Sequence, residues 1–132
     1  MTEKLPHSYN PIVIDHFQHP RNMGEMENPD GVGEAQNPVC GDTMRLFLKL
    51  EGNRITDATF LTFGCAAAIA SSSMATEMLK GKTLDEALMI SNETVTEALG
   101  GLPPTKAHCS VLAQEAVKAA VMDYRKRRKE EA

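Results

Sequence analysis

Tryptophan is absent from this 132-residue chain, and four Phe and two Tyr are its only aromatic residues. So few rings argue against broad nucleic-acid binding, which relies on aromatic stacking platforms. Long apolar runs are missing too. The longest uncharged apolar stretch, Gly64 to Ala70, falls far short of the roughly 20 residues that cross a bilayer. Met1-Thr2-Glu3-Lys4-Leu5-Pro6 contains no apolar signal-peptide region, so an unexported, cytoplasmic protein without membrane contact is expected. Basic residues are scarce outside one cluster, since five of the 14 Lys and Arg are Arg125, Lys126, Arg127, Arg128 and Lys129. Residues 1–124 carry 9 basic and 16 acidic groups, a net charge of −7, which repels phosphate backbones and gives no nucleic-acid partner. The chain has no CxxC pair, no GxSxG elbow and no internal repeat. Three cysteines, an odd count, exclude a disulfide framework in an unexported chain.

Apolar side chains make up 42% of the sequence, with nine Gly besides, and this suffices for the core of one domain spanning 1–132. Residues 1–8 are expected to be flexible, and 125–132 to form a basic helix end or tail. Five of the seven Pro lie in the first 38 residues. Between these breakers only Pro11 to His19 can form a helix, with Asn10 as N-cap and Pro11 at the first position. Gly24, Gly31 and Gly33 read as further breakers in a loop leading to an edge strand. In 43–51, Met44, Leu46, Leu48 and Leu50 alternate with Arg45, Phe47, Lys49 and Glu51, the period of a half-buried strand. Gly52-Asn53 then reads as a hairpin turn into a partner strand, 54–63. After Gly64 the pattern becomes helical to Lys80, with Met74 and Met78 on core faces. Thr83-Leu84-Asp85-Glu86 is a capping box, Asn92 a further cap, and Gly100-Gly101 a helix stop. From Cys109 to Tyr124 the apolar residues recur at helical spacing, and Met122 is placed with the core. The expected fold is α+β: a three-stranded antiparallel sheet with about five helices packed on one face.

Each cysteine falls at a junction between elements. Cys40 precedes Gly41-Asp42, Cys65 follows Gly64 where strand gives way to helix, and Cys109 lies in the first turn of the last helix. A helix N-terminus favours thiolate, the form that binds metal or attacks sulfur. A lone cysteine is more often a small buried hydrophobe, but three at junctions, two of them beside Gly, weigh toward chemistry. With His108 and Asp42 they make a set of three sulfurs, one nitrogen and one oxygen, suited to zinc or iron–sulfur chemistry more than to magnesium or calcium. His7, His16 and His19 read as surface or packed residues. Ser71-Ser72-Ser73 lacks the surroundings of a nucleophile.

Three segments carry a resemblance. Asn37-Pro38-Val39-Cys40-Gly41-Asp42, Thr62 to Ser73, and Leu102-Pro103-Pro104-Thr105-Lys106-Ala107-His108-Cys109 to Ala113 resemble the IscU/NifU N-domain type of iron–sulfur cluster assembly scaffold, over about Tyr9 to Lys126. The resemblance implies a non-enzymatic carrier that accepts sulfur from a cysteine desulfurase, combines it with iron into a [2Fe-2S] cluster, and passes the cluster to apo-proteins. Cys40, Cys65 and Cys109 match the family's cluster ligands, and His108 matches a frequent fourth ligand. Asp42 matches the carboxylate that keeps the cluster labile, and Cys109 the sulfur acceptor. Lys106 neighbours the site, and Tyr9 matches a residue linked to homodimer formation. Leu102, Pro103, Pro104, Thr105 and Lys106 resemble a segment read by an Hsp70-type chaperone, with Thr105 where bacterial members usually carry Val. Ala66-Ala67 replaces the more usual Gly-Ser. Zinc can occupy the same thiolates as a surrogate for the iron of the cluster. The alternatives are a zinc-bound, SufU-like sulfur acceptor and a structural zinc domain; the presence of His108 and the lack of an insertion favour the scaffold branch.

Overall fold

In the computed structural model, residues 10–37, 41–103 and 109–131 are described, the side chains of Glu130 and Glu131 excepted. Asn10 opens the first helix, α1 (Pro11–Gln18), by accepting the N–H groups of Ile12 and Val13. The alternating run forms β2 (Thr43–Glu51), flanked by β1 (Gly31–Gln36) and β3 (Arg54–Phe63) in an antiparallel sheet of order β1-β2-β3. Of the two residues in the β2–β3 turn only Gly52 has positive φ, at +64°, as the first position of a type II′ hairpin requires. The helices α2 (Ala66–Leu79), α3 (Leu84–Leu88), α4 (Asn92–Ala98) and α5 (Cys109–Glu131) complete the chain.

One sheet face carries Ala35, Met44, Leu46, Leu48, Ala58 and Phe60, all buried against the helices. There α5 covers β1 and β2 while α2 covers β3. The glycines expected to interrupt the chain before this sheet are instead part of it. A Cβ on Gly33 would lie 2.3 Å from Ala120 N and 2.4 Å from Ala116 O, and one on Gly31 would lie 2.7 Å from Ala120 O. These strand glycines let the α5 backbone rest directly on β1, a close approach that side chains would prevent. Asp123 of α5 then accepts the Val32 N–H at 2.8 Å, so a backbone donor of the edge strand is satisfied by the helix.

Helix α2 is buried nearly all round, which suits its Ala and Ser content: small side chains fit between a sheet and several helices. Ser72 Oγ bonds Ala68 O at 2.9 Å and Thr62 Oγ1 at 2.8 Å. Ser73 Oγ accepts the Arg21 N–H at 2.9 Å and lies 2.7 Å from His16 Nδ1. Ser72 and Ser73 thus tie α1, α2 and β3 together. Burial holds the His16 pKa below the ordinary histidine value, and the Arg21 charge acts in the same direction.

Several local expectations change. Ser91, not Asn92, caps α4, because its side chain accepts the Thr94 N–H. Met122 is 68% exposed and belongs to no core face. Phe47 is buried although it points away from the helices, between Val32 and Thr59 on the neighbouring strands. Residues 22–24, read as loop, add a short parallel pairing to β3, with Gly24 N–H donating to Phe60 O and Phe60 N–H to Asn22 O. The Thr83 capping box forms as expected, and its backbone N–H holds the Glu86 carboxyl below the usual range. Basic residues of the last turns pack locally: Arg127 pairs with Asp123 and donates to Pro29 O.

Candidate metal centre

Asp42, Cys65 and Cys109 converge from three separate breaks in the fold. Asp42 ends the β1–β2 connection, where Gly41 N–H donates to Asn37 O and Asn37 N–H to Asp42 O. Gly41, at φ +80°, faces open space. Its positive φ is a backbone conformation that glycine adopts most readily. Gly64 is the reverse case. Its φ is ordinary, but a Cβ there would stand 2.8 Å from Asp42 Cγ, 3.1 Å from Asp42 Oδ1 and 2.9 Å from Ala68 Cβ. The Asp42 carboxylate is seated in the space that this missing side chain leaves.

Cys65 is the N-cap residue of α2, with extended backbone, and its side chain does not cap the helix. Its sulfur faces Asp42 and Cys109 instead. Cys109, 2% exposed, is the first residue of α5. The next residue, Ser110, is wholly buried and holds the helix start to α4 through a 2.8 Å bond with Thr96 Oγ1. On the other side of 102–108, Asn10 Nδ2 donates to Gly101 O at 3.2 Å. Thr96 and Ser110 carried no local sequence signal, since each acts through a partner distant in the chain, and Asn10 was legible only as the cap of α1.

Cys65 Sγ lies 3.6 Å from Cys109 Sγ and 3.9 Å from Asp42 Oδ2. The three donor atoms all lie within 4.8 Å of one another. Tetrahedral coordination with metal–sulfur bonds near 2.3 Å and metal–oxygen bonds near 2.1 Å puts sulfurs about 3.8 Å apart and sulfur and oxygen about 3.6 Å apart. A spacing of 3.6 Å is also far beyond the roughly 2.05 Å of a disulfide bond. The three donors are therefore close enough to hold one soft metal ion with small side-chain adjustments. Both cysteines stand at helix N-termini, where the dipole and unpaired N–H groups favour negative sulfur.

Of the other residues singled out by sequence, Cys40, His108, Pro104, Thr105, Lys106, Tyr9 and His7 lie outside the described residues. By sequence alone, Cys40 is two residues before Asp42 and His108 directly precedes Cys109. Leu102 packs partly buried against the core. His16 is held by Ser73 within α2, and the cysteine group does not include it. Among the described residues no helix is long and apolar enough to cross a membrane.

Comparison with known proteins gives a consistent picture. The family model of the NifU-like N-terminal domain matches residues 8–131. An iron–sulfur cluster assembly scaffold protein IscU of Archaeoglobus fulgidus is 59% identical over 116 residues, covering 88% of this chain and 76% of the relative. The protein of that name from Escherichia coli is 49% identical over 125 residues, covering 92% and 97%. Among solved structures, one from Fervidobacterium islandicum, described as an assembly scaffold for the SUF system, superposes with a TM-score of 0.72. It is 26% identical and the match covers 86% of this chain and 96% of that one.

Proposed function

The chain belongs to the NifU-like N-terminal domain family, and from that premise we propose that it is an IscU-type scaffold on which iron and sulfide are assembled into [2Fe-2S] clusters for transfer to apo-proteins. The observation that carries this reading is the convergence of Cys65, Cys109 and Asp42 within 4.8 Å of one another, a group able to hold one soft metal ion. Iron and sulfide are the cargo. Cys40, Cys65 and Cys109 supply thiolates, and Asp42 and His108 supply harder donors from positions beside two of them.

A mixed donor set suits a carrier. A fourth thiolate would hold iron tightly, whereas a carboxylate oxygen exchanges more readily with an incoming ligand. Asp42 is braced against Gly64 and meets Cys65 Sγ only through a long 3.9 Å contact, so it can swing between ligating and withdrawn positions. Release of the finished cluster is assigned to this residue.

Sulfur arrives as the terminal sulfur of a desulfurase persulfide. The Cys109 thiolate attacks that atom, the donor's S–S bond breaks, and the pair of electrons leaves on the donor thiolate while a new S–S bond forms on Cys109. Reducing this sulfur to sulfide takes two electrons from outside the chain. The N-terminus of the 23-residue helix α5 favours the attacking thiolate, and Cys65 at 3.6 Å is placed to share the incoming sulfur. The segment 102–106 is assigned to chaperone contact and Tyr9 to a homodimer contact.

Incubating the protein with a desulfurase and cysteine, followed by intact mass spectrometry, tests the acceptor role. One added sulfur atom, lost on reduction and absent in Cys109→Ser but kept in Cys65→Ser, is the expected result. Equal loading of Cys109→Ser would assign the acceptor role elsewhere.

A further inference from the structure

At the far end of the sheet from the cysteines, α5 crosses the β2–β3 hairpin and leaves a groove of about 430 Å³ lined by Gly52, Asn53, Leu84, Tyr124, Arg125 and Arg128. That volume lies in the ordinary range of ligand sites. From Asp42 to Gly52 the chain runs the whole length of β2, roughly 30 Å at about 3.3 Å per residue, so an occupant here leaves the cysteine site open.

The groove is built around Tyr124. Its ring is buried, and its hydroxyl donates to Gly52 O at 2.8 Å, pinning the helix to the hairpin. The same oxygen accepts from Arg128 Nη1 at 2.8 Å, and the Arg128 guanidinium lies 5.7 Å from the ring centroid. Arg128 is thereby oriented by a hydrogen bond and a ring contact together. Across the groove, Arg125 Nη2 meets Asp85 Oδ1 at 3.1 Å. Asp85 is 86% exposed, so its carboxylate is held by little besides this pair. The structure thus shows the Arg125 guanidinium already bound by a carboxylate that solvent can replace.

We propose that this groove is a docking site for an acidic segment of a partner protein, whose carboxylates take the place of Asp85 on Arg125 and bind Arg128 beside it. Guanidinium groups present paired N–H donors that match carboxylate oxygens. The surrounding charge favours a short acidic segment over a long polyanion. Residues 1–124 carry 16 acidic against 9 basic groups, so a long polyanion running from the groove onto the body of the domain meets a repelling surface. The role is a tether: a partner held by its acidic segment at this end can work on the cysteine site at the other.

The test is a titration of ¹⁵N-labelled protein with hexaglutamate peptide at low ionic strength, followed through backbone amide shifts. Saturable shifts confined to Gly52, Asn53, Leu84, Arg125 and Arg128 are expected, with affinity at least tenfold lower in Arg125→Gln/Arg128→Gln. Lys118→Gln, a charge loss elsewhere on α5, should change affinity by less than about twofold, as isolated surface charges do. Asp85→Asn should raise affinity about twofold to fivefold by removing the internal competitor, whereas Glu93→Gln, a charge change outside the groove, should not. That gain cannot arise from misfolding. Equal responses of Asp85→Asn and Glu93→Gln, or unchanged binding in the arginine variant, overturns the proposal. Inorganic phosphate or hexathymidylate shifting the same amides at lower concentration than hexaglutamate also overturns it, by assigning the groove to phosphate.

Discussion

Gly64→Ala probes the seat of the Asp42 carboxylate with a single methyl group. The added Cβ meets Asp42 Cγ at 2.8 Å and Ala68 Cβ at 2.9 Å, separations that atoms in packed proteins do not adopt. The backbone at Gly64 needs no left-handed conformation, so the whole cost is steric, in the range of about 1–3 kcal/mol for an overpacked site. For a domain of this size that corresponds to a fall in Tm of roughly 3–12 °C. Relief is available only by pushing Asp42 away from the cysteines or by displacing the first turn of α2. The second route is blocked because Ala67, Ala68 and Ala70 are fully buried, so the carboxylate moves and metal binding changes with it. A thermal melt combined with a cobalt(II) titration, read by thiolate charge-transfer absorbance, measures both effects. In an Asp42→Gly background the Asp42 clash is gone and the Ala68 contact remains, so the Gly64→Ala penalty should fall without vanishing. A penalty equal in the two backgrounds to within about 0.3 kcal/mol, the ordinary limit of additivity, would refute the seating argument.

Three further outcomes follow from the same geometry. Gly33→Ala should cost more than Gly64→Ala, above about 3 kcal/mol, because its Cβ meets the backbone of Ala116 and Ala120, which cannot rotate away; urea unfolding reads the difference. His16 has its pKa lowered by burial and by Arg21, opposed by Asp15 and Glu77. Its neutral form therefore belongs to the folded state, and its contribution is complete above about pH 6.5, lost as pH falls below that value because the unfolded chain takes up the proton more readily. Tm should decline from pH 7.5 to 5.5, and less so in His16→Asn; an identical slope in both proteins would contradict the assignment. Asp42→Ala should lengthen the lifetime of a reconstituted cluster, followed by visible absorbance during chelator challenge, and faster loss than in the parent would remove the releasing role from Asp42.

What could be read in the sequence was what is local. The alternation in 43–51 fixes a strand because one face must be apolar. The Thr83–Glu86 capping box is written within four residues, and it forms. The junction positions of Cys65 and Cys109 were legible because a strand-to-helix change shows in the pattern itself. What escaped depends on partners far along the chain. Gly31 and Gly33 look like loop glycines until α5, more than 80 residues later, is laid across them. Ser72 and Ser73 of α2 look too polar for a core until Thr62, Arg21 and His16 supply their hydrogen bonds. Ser91 and Asn92 are both good caps, and periodicity alone does not choose between adjacent ones. At the site, the spacings of 25 and 44 residues between cysteines (40 to 65 and 65 to 109) carry no metal signature. Only the fold brings Cys65, Cys109 and Asp42 within 4.8 Å.

The most direct test of the scaffold reading is anaerobic reconstitution with ferrous iron, cysteine and a desulfurase, followed by the visible spectrum and the iron, sulfide and zinc content per chain. Sulfide-to-iron charge-transfer bands with matched iron and sulfide, lost in Cys65→Ser and in Cys109→Ser, are the predicted result. Tightly held zinc, no such bands, and sulfur found only as persulfide on a cysteine would contradict it and make the chain a zinc-bound sulfur acceptor.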